Sequence, residues 1–149
     1  MKLEFSGSPL IRATRDYVWT RLTDPDFVAA SAPGVETVEA LDSTHFKIIS
    51  GLGVGSVKVR FKLDVELFDV VQGRSLKMRS RARAPGSMVD VVSSVQIVDV
   101  GPGTVRLDWS ATSAVSGTMA SIGAHLLEGT ARKLTEEFWT DFARRVGEG

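Results

Sequence analysis

The chain has 149 residues, a mass of 16.1 kDa and a hydrophobic fraction of 43%. That is enough for one globular domain with its own core, and it excludes intrinsic disorder. The 18 basic residues balance the 18 acidic ones, so the overall charge does not support nucleic-acid binding. The absence of cysteine excludes disulfides, thiolate metal ligands and cysteine nucleophiles. We expect a single domain over residues 1–149 and no nucleic-acid partner.

The N-terminal segment MKLEFS alternates apolar and polar residues and lacks the continuous apolar run of a signal peptide. Nowhere do 18 apolar residues follow one another, which predicts no transmembrane segment. The sequence therefore favours a cytoplasmic protein. Peripheral contact with the inner face of the membrane stays open as an alternative.

The first part of the chain predicts a strand followed by two short helices. Apolar residues recur over residues 2–11, in a strand that we expect to bend near Gly7-Ser8-Pro9. Thr14 and Asp24 have the side chains that cap helix N-termini, and Pro25 suits a first helical position.

The middle of the chain follows the two-residue period of β-strands. In the strongest run, from Val57 to Leu67, apolar residues alternate with charged ones. The alternation slips at Phe68, which predicts a bulge before a turn at Gln72-Gly73. Short turns between consecutive strands favour an antiparallel meander. The other predicted strands cover residues 35–41, 46–49, 76–84, 89–100 and 105–111.

From about Gly117 to Val146, apolar residues recur at three- to five-residue steps and predict a long helix. Such a helix would be roughly 45 Å long, and it must lie across a sheet to bury its apolar stripe. The predicted fold class is α+β. We expect a bent antiparallel sheet around a long C-terminal helix, with two short helices after the first strand.

The first half of this helix, Gly117–Ala124, has small side chains, whereas the second half carries large apolar ones. We interpret the small residues as the roof of an internal cavity; alternatively, they let the helix approach the sheet closely. A hydrophobic site needs apolar walls with a few polar anchors, for which Ser80 and His125 are candidates. Both also have a purely structural interpretation. The predicted cavity-lining residues are Phe61, Leu63, Val65, Met78, Ser80, Leu107, Trp109, Met119, Ile122, Gly123, His125 and Leu126.

Patterns typical of catalysis or metal binding are missing from the sequence. His45 and His125 are the only histidines, and neither has the spacing of a metal-binding motif. There is no GxSxG nucleophile motif. The glycine-rich segment Gly51–Ser56 precedes a predicted strand rather than a helix, so we interpret it as a hairpin loop that could gate the cavity. We predict no catalytic residue, no cofactor and no metal.

Basic residues line the polar face of two neighbouring predicted strands. With a turn at Gln72-Gly73, we expect Lys62 to face Arg81. The same register places Arg60 opposite Arg83. Like charges that face each other are destabilising, so this row favours either an acidic partner or relief by nearby carboxylates and solvent.

Three ordered segments carry a family resemblance. They are DPD at residues 24–26 with ASAPGVE at 30–36, VGSVKVRFK at 54–62, and SIGAHLLEGTARKL at 121–134. These segments resemble the motifs "DP…xIPGxE", "VGPVKGRFKG" and "LGxRLIDGVARKL" of the CoxG family of carbon monoxide dehydrogenase proteins. A cysteine often precedes the IPG of that family, and Ser31 stands near that place.

The resemblance implies the helix-grip fold of the START/Bet v 1-like superfamily, with a hydrophobic cavity between sheet and helix. It also implies an accessory protein of carbon monoxide dehydrogenase or a related molybdenum hydroxylase, acting in maturation, membrane recruitment or electron transfer. We expect a non-catalytic protein that binds a lipid or an isoprenoid quinone. Two alternatives stay open: an enzyme of the polyketide cyclase or aromatase kind, using His125 with Tyr17 or an inward aspartate, and a protein-docking module that uses the basic row.

Overall fold

The computed structural model describes residues 1–54 and 56–148, in which eight strands form one curved antiparallel sheet crossed by a long helix. The strands are β1 (Lys2–Gly7), β2 (Leu10–Ile11), β3 (Val35–Ala40), β4 (His45–Val54), β5 (Val57–Val71), β6 (Ser75–Ala84), β7 (Ser87–Gly101) and β8 (Thr104–Gly117). The helices are α1 (Arg15–Leu22), α2 (Pro25–Ser31) and α3 (Ala124–Glu148). The sheet order is β1-β8-β7-β6-β5-β4-β3, and β2 pairs with β8. This architecture confirms the predicted fold class.

The two short helices begin at the predicted caps. The Thr14 hydroxyl accepts a hydrogen bond from the backbone N–H of Tyr17 at 3.4 Å. Asp24 accepts two backbone N–H bonds, at 3.1 and 3.3 Å, ahead of α2. Pro25 then occupies the first turn of α2, where its missing N–H would have no partner in the helix anyway. These caps fix where α2 starts, and α2 later forms one wall of the cavity.

The hairpin that joins β5 to β6 contains the predicted bulge. The register shifts between Phe68 and Val71, and Asp69 adopts a left-handed φ of 48°. Pairing then continues to Val71 opposite Ser75, closer to the turn than the sequence suggests. Together these features shift β5 against β6 by two residues from the predicted register.

The predicted pairs of Lys62 with Arg81 and of Arg60 with Arg83 are therefore wrong. Arg81 faces Asp64, and Lys62 faces Arg83. The arginines of this row also have carboxylate partners. These ion pairs are Arg60–Glu36, Arg81–Asp90 and Arg83–Asp64, with N–O distances of 2.6, 2.7 and 3.0 Å.

The outer face of the sheet carries an alternating row of charges. Successive cross-strand partners across five adjacent strands have opposite signs, an arrangement that mildly stabilises a sheet. The row is Glu39, Lys47, Asp64, Arg81 and Asp90. Of the two interpretations of the basic residues, this arrangement favours relief by neighbouring carboxylates.

The long helix begins at Ala124, seven residues after the predicted start at Gly117. Residues Thr118–Ile122 form a 3₁₀ segment, bounded by Gly117 with φ 83° and Gly123 with φ 111°. These left-handed conformations suit glycine and interrupt an α-helix. At Gly117 a Cβ would also lie within van der Waals overlap of the Gly86 carbonyl oxygen. The glycines therefore serve a turn and a close approach of two backbones.

Packed side chains fill the sandwich at both ends of α3 in the described part of the chain. At the start of α3 they include Phe61, Met119 and Leu127. Near the end of α3 a larger cluster surrounds Leu107 and Phe142, which are fully buried. The space between these two clusters is less completely filled, and it contains the candidate site.

Candidate functional site

An apolar cavity of about 350 Å³ lies between the sheet, α2 and the second half of α3. Helix α2 and its flanks contribute small and medium apolar residues, and α3 contributes Thr135, Phe138 and Trp139. Inward-facing residues of β4 to β8 form the floor. The main floor residues are Phe46, Ile48, Leu63, Val65, Leu67, Leu76, Met78, Ser80, Val91, Ser93, Val95, Trp109 and Ala111.

Five of the twelve residues predicted to line a cavity lie on these walls. They are Leu63, Val65, Met78, Ser80 and Trp109. All five come from the inward faces of strands, where a period of two fixes the side-chain direction. The structure brings them together beneath α2 and α3.

The other seven predicted residues lie elsewhere. Phe61 and Met119 are buried in the packed cluster at the start of α3, and Ile122 packs against that cluster. Leu107 is fully buried in the cluster near the end of α3. Their apolar character therefore serves packing at the two ends of the sandwich.

Gly123, His125 and Leu126 also lie away from the cavity. Gly123 forms the break before α3, His125 is exposed, and Leu126 is 43% exposed. The inward residue of the first helical turn is instead Leu127, because the break at Gly123 changes the phase of the helix. The small residues before Ala124 are thus explained by close packing, which was the alternative interpretation of them.

The sheet floor and α3 meet at a stacked pair of indole rings. The rings of Trp109 and Trp139 have centroids 5.6 Å apart and an interplanar angle of 20°, within the range of favourable aromatic stacking. Gly7 leaves room for this arrangement, since a Cβ there would lie 2.7 Å from Trp109 Nε1. Both indoles line the cavity, so an occupant would contact them.

Helix α2 is held against α3 by Arg145. The Arg145 guanidinium donates to the Phe27 carbonyl oxygen and to the Ser31 Oγ, both at 2.7 Å. It also lies 3.9 Å from the centroid of the Phe27 ring, a cation–π geometry. Hydrogen bonds from Arg144 and Ser31 lower the pKa of the Asp141 carboxyl. Ser31, at the position near which the family often has cysteine, therefore joins α2 to α3.

The hydroxyl groups on the cavity wall fall into two kinds. Thr23 Oγ1 donates to the Trp19 carbonyl at 2.7 Å, and Thr135 Oγ1 donates to the Ala131 carbonyl at 2.6 Å. Both bonds stay within their own helical segments. Ser80 and Ser93, on adjacent strands of the floor, make no such bond to any described residue.

None of the described residues that line the cavity is titratable. His45 is exposed on the β3–β4 turn, where its Nδ1 lies 3.0 Å from Asp42 Oδ1. Hydrogen bonding to Asp42 raises the pKa of His45. The backbone N–H of Thr44 and the His45 ring lower the pKa of Asp42 to about 2. Tyr17 accepts a hydrogen bond from Arg21 at 3.3 Å and is also outside the cavity wall.

Among the described residues, no group of three or more acidic or histidine side chains is arranged to hold a metal ion. In the same part of the chain, no helix combines the length and hydropathy required to cross a bilayer. Gly55, in the glycine-rich segment that we interpret as a gate, lies outside the described residues. Its gating role stays a prediction.

Sequence reasoning misses the α2 wall, the aromatic residues of α3 and Ser93. Phe138 and Trp139 look like packing residues because large side chains usually fill space. Ser93 has a usable signal, since it interrupts an apolar inward row just as Ser80 does. The contribution of α2 depends on its docking through Arg145, which no local pattern reveals.

The curved sheet closed by a long helix over an apolar cavity defines a START-like helix-grip protein. The structure is similar to a START superfamily protein from Mycobacterium smegmatis, with a TM-score of 0.73 and 10% identity over 97% of each chain. It is also similar to the Zhui aromatase/cyclase from Streptomyces sp. R1128, with a TM-score of 0.73 and 14% identity over 98% of this chain and 94% of that one.

A conserved protein from Geobacillus kaustophilus has a more similar structure, with a TM-score of 0.90 and 20% identity over 98% of this chain and 96% of that one. The sequence model of the carbon monoxide dehydrogenase protein CoxG matches residues 7–147. The chain belongs to the CoxG family of carbon monoxide dehydrogenase proteins. No curated protein matches it.

Proposed function

We propose that this protein is a non-catalytic accessory protein of carbon monoxide dehydrogenase or a related molybdenum hydroxylase, and that it binds an apolar ligand in the cavity. The ligand class is a lipid or an isoprenoid quinone. The family membership supports the link to the enzyme. The cavity, with its apolar wall and lack of titratable lining residues, supports binding rather than catalysis and is the observation that carries the proposal.

The size of the cavity sets what it can enclose. About 350 Å³ is roughly twice the 150 Å³ of an engineered cavity that binds benzene. It therefore suits about ten to fourteen carbon atoms, and a longer isoprenoid tail would extend outside. Burial of apolar ligand surface stabilises a complex by about 25 cal/mol per Å², so few polar contacts are required.

The fold also occurs in an aromatase/cyclase, which keeps an enzymatic function as the second candidate. Cyclisation chemistry calls for a general acid or base near the substrate. His125, the residue that this alternative requires, is exposed and outside the cavity wall. The docking alternative depends on free basic residues, whereas Arg60, Arg81 and Arg83 are paired with carboxylates. The carrier function is therefore favoured.

Extraction of the purified protein with organic solvent, followed by mass spectrometry, tests the carrier function. We expect a neutral apolar molecule in near-stoichiometric amount. Ala111→Phe should reduce its yield because the new ring projects from the cavity floor. Ala114→Phe is the matched control, since Ala114 is exposed on the same strand. An empty protein that takes up no lipid or quinone would overturn the proposal.

A further inference from the structure

The floor of the cavity contains a buried hydroxyl group without a protein partner. Ser80 is 5% exposed and lines the cavity from β6. Among the described residues, no group hydrogen-bonds its Oγ. A buried polar group that has lost water and gained no partner is unfavourable. The hydroxyl nevertheless retains accessible surface, so it is available to a molecule in the cavity.

Ser93 adds a second hydroxyl group close to the first. In the register of β6 with β7, Ser80 is opposite Val91 and Met78 is opposite Ser93. Ser80 and Ser93 are therefore diagonal neighbours on the same face of the sheet, within the reach of one ligand functional group. Ser93 also lines the cavity, and its Oγ has no partner among the described residues.

The cavity wall offers these hydroxyl groups without any compensating charge. No lysine, arginine, histidine, aspartate or glutamate among the described residues lines it. An ionised ligand group would lose its hydration and find no counter-ion, which is strongly unfavourable. A neutral oxygen can accept a hydrogen bond from a serine hydroxyl without this penalty.

We propose that Ser80 and Ser93 bind a neutral carbonyl or hydroxyl oxygen of the ligand, and that the cavity selects neutral ligands over carboxylates. This inference rests on the proposed carrier function and narrows it. Quinones, ketones and alcohols with about ten to fourteen enclosed carbons fit the site. Free fatty acids do not.

Calorimetric titration with three ligands of similar shape tests the inference. The ligands are tetralin, a hydrocarbon; 1-tetralone, which adds one ketone oxygen; and 1-naphthoate, which is an anion. We expect 1-tetralone to bind at least about tenfold more tightly than 1-naphthoate. Ser80→Ala should weaken 1-tetralone binding about fivefold, the loss of one hydrogen bond, and leave tetralin binding unchanged. Ser93→Ala should act in the same direction.

Ser50→Ala is the matched control variant. Ser50 is also 5% exposed on the sheet, but it does not line the cavity. It should leave the affinities for both neutral ligands unchanged. Equal effects of Ser80→Ala on tetralin and 1-tetralone, or 1-naphthoate binding as tight as 1-tetralone binding, would overturn this inference alone. Failure of the parent protein to bind either neutral ligand would overturn the carrier function as well.

Discussion

The two halves of α3 cover the same sheet but leave different interiors. At its start, Met119 and Leu127 are buried against Phe61, and no space remains for a ligand there. Farther along, Phe138 and Trp139 border a cavity of about 350 Å³. The region with small residues is therefore the packed one, because small side chains let the backbones approach. Large residues can bridge a gap without filling it, and α2 stands as the third wall.

The largest expected difference between packed and hollow regions comes from deletion of an aromatic ring. Phe142 is fully buried, so Phe142→Ala should lower the free energy of unfolding by about 3–5 kcal/mol. Phe138→Ala should cost less than half as much, because its ring already borders empty space. Urea unfolding of both variants measures the difference. Equal costs would mean that the region around Phe138 is as tightly packed as the cluster.

Insertion of a ring should show the opposite order. Ala82 is buried in the cluster at the start of α3, so Ala82→Phe should cost about 1–3 kcal/mol through overpacking. Ala111→Phe should cost less than about 1 kcal/mol, since its ring enters the cavity. Thermal and urea unfolding provide the values. If Ala111→Phe were the more destabilising variant, the cavity would not be available space.

The third prediction concerns the attachment of α2. Arg145→Gln removes a charged donor from two hydrogen bonds and should cost about 1–2 kcal/mol. It should also speed ligand release, because α2 forms one wall. Lys133→Gln is the control, since Lys133 makes an exposed pair with Glu137 at 4.0 Å that contributes little. Unchanged stability and release rate in Arg145→Gln would show that α2 is held by other contacts.

The smallest effects concern pH. Because the folded-state pKa of His45 is raised, its contribution to stability is present below the ordinary value of 6.5. That contribution disappears as the pH rises through the higher folded-state pKa. Nuclear magnetic resonance should show a lower His45 pKa in Asp42→Asn. Ligand affinity should stay constant from pH 5 to 8, since no described lining residue titrates; a pH-dependent affinity would contradict this.

Much of the fold was predictable because local chemistry specifies it. The caps at Thr14 and Asp24, the alternation after Val57 and the bulge after Phe68 all follow from local sequence, and the structure confirms them. The register of β5 with β6 was not predictable, because it depends on how far pairing continues toward the turn. A two-residue error was enough to exchange like-charge pairs for opposite ones.

The candidate site was predictable on the strands and not on the helix. Inward positions such as Leu63 and Met78 follow from a period of two, which needs no knowledge of the partner. The helical residues were misplaced because the break at Gly123 changes the phase of the helix. The position of the cavity along α3 depends on α2, whose docking through Arg145 is a long-range contact between residues far apart in the chain.

The alternating charges on the outside of the sheet also affect how this protein meets other molecules. Charges of opposite sign that are a few ångströms apart cancel beyond about one Debye length, near 8 Å at physiological ionic strength. A partner that approaches this face experiences little attraction or steering from a distance. Recognition there depends on shape after contact, with association rates typical of unsteered encounters, about 10⁵–10⁶ M⁻¹s⁻¹, and only weakly sensitive to added salt.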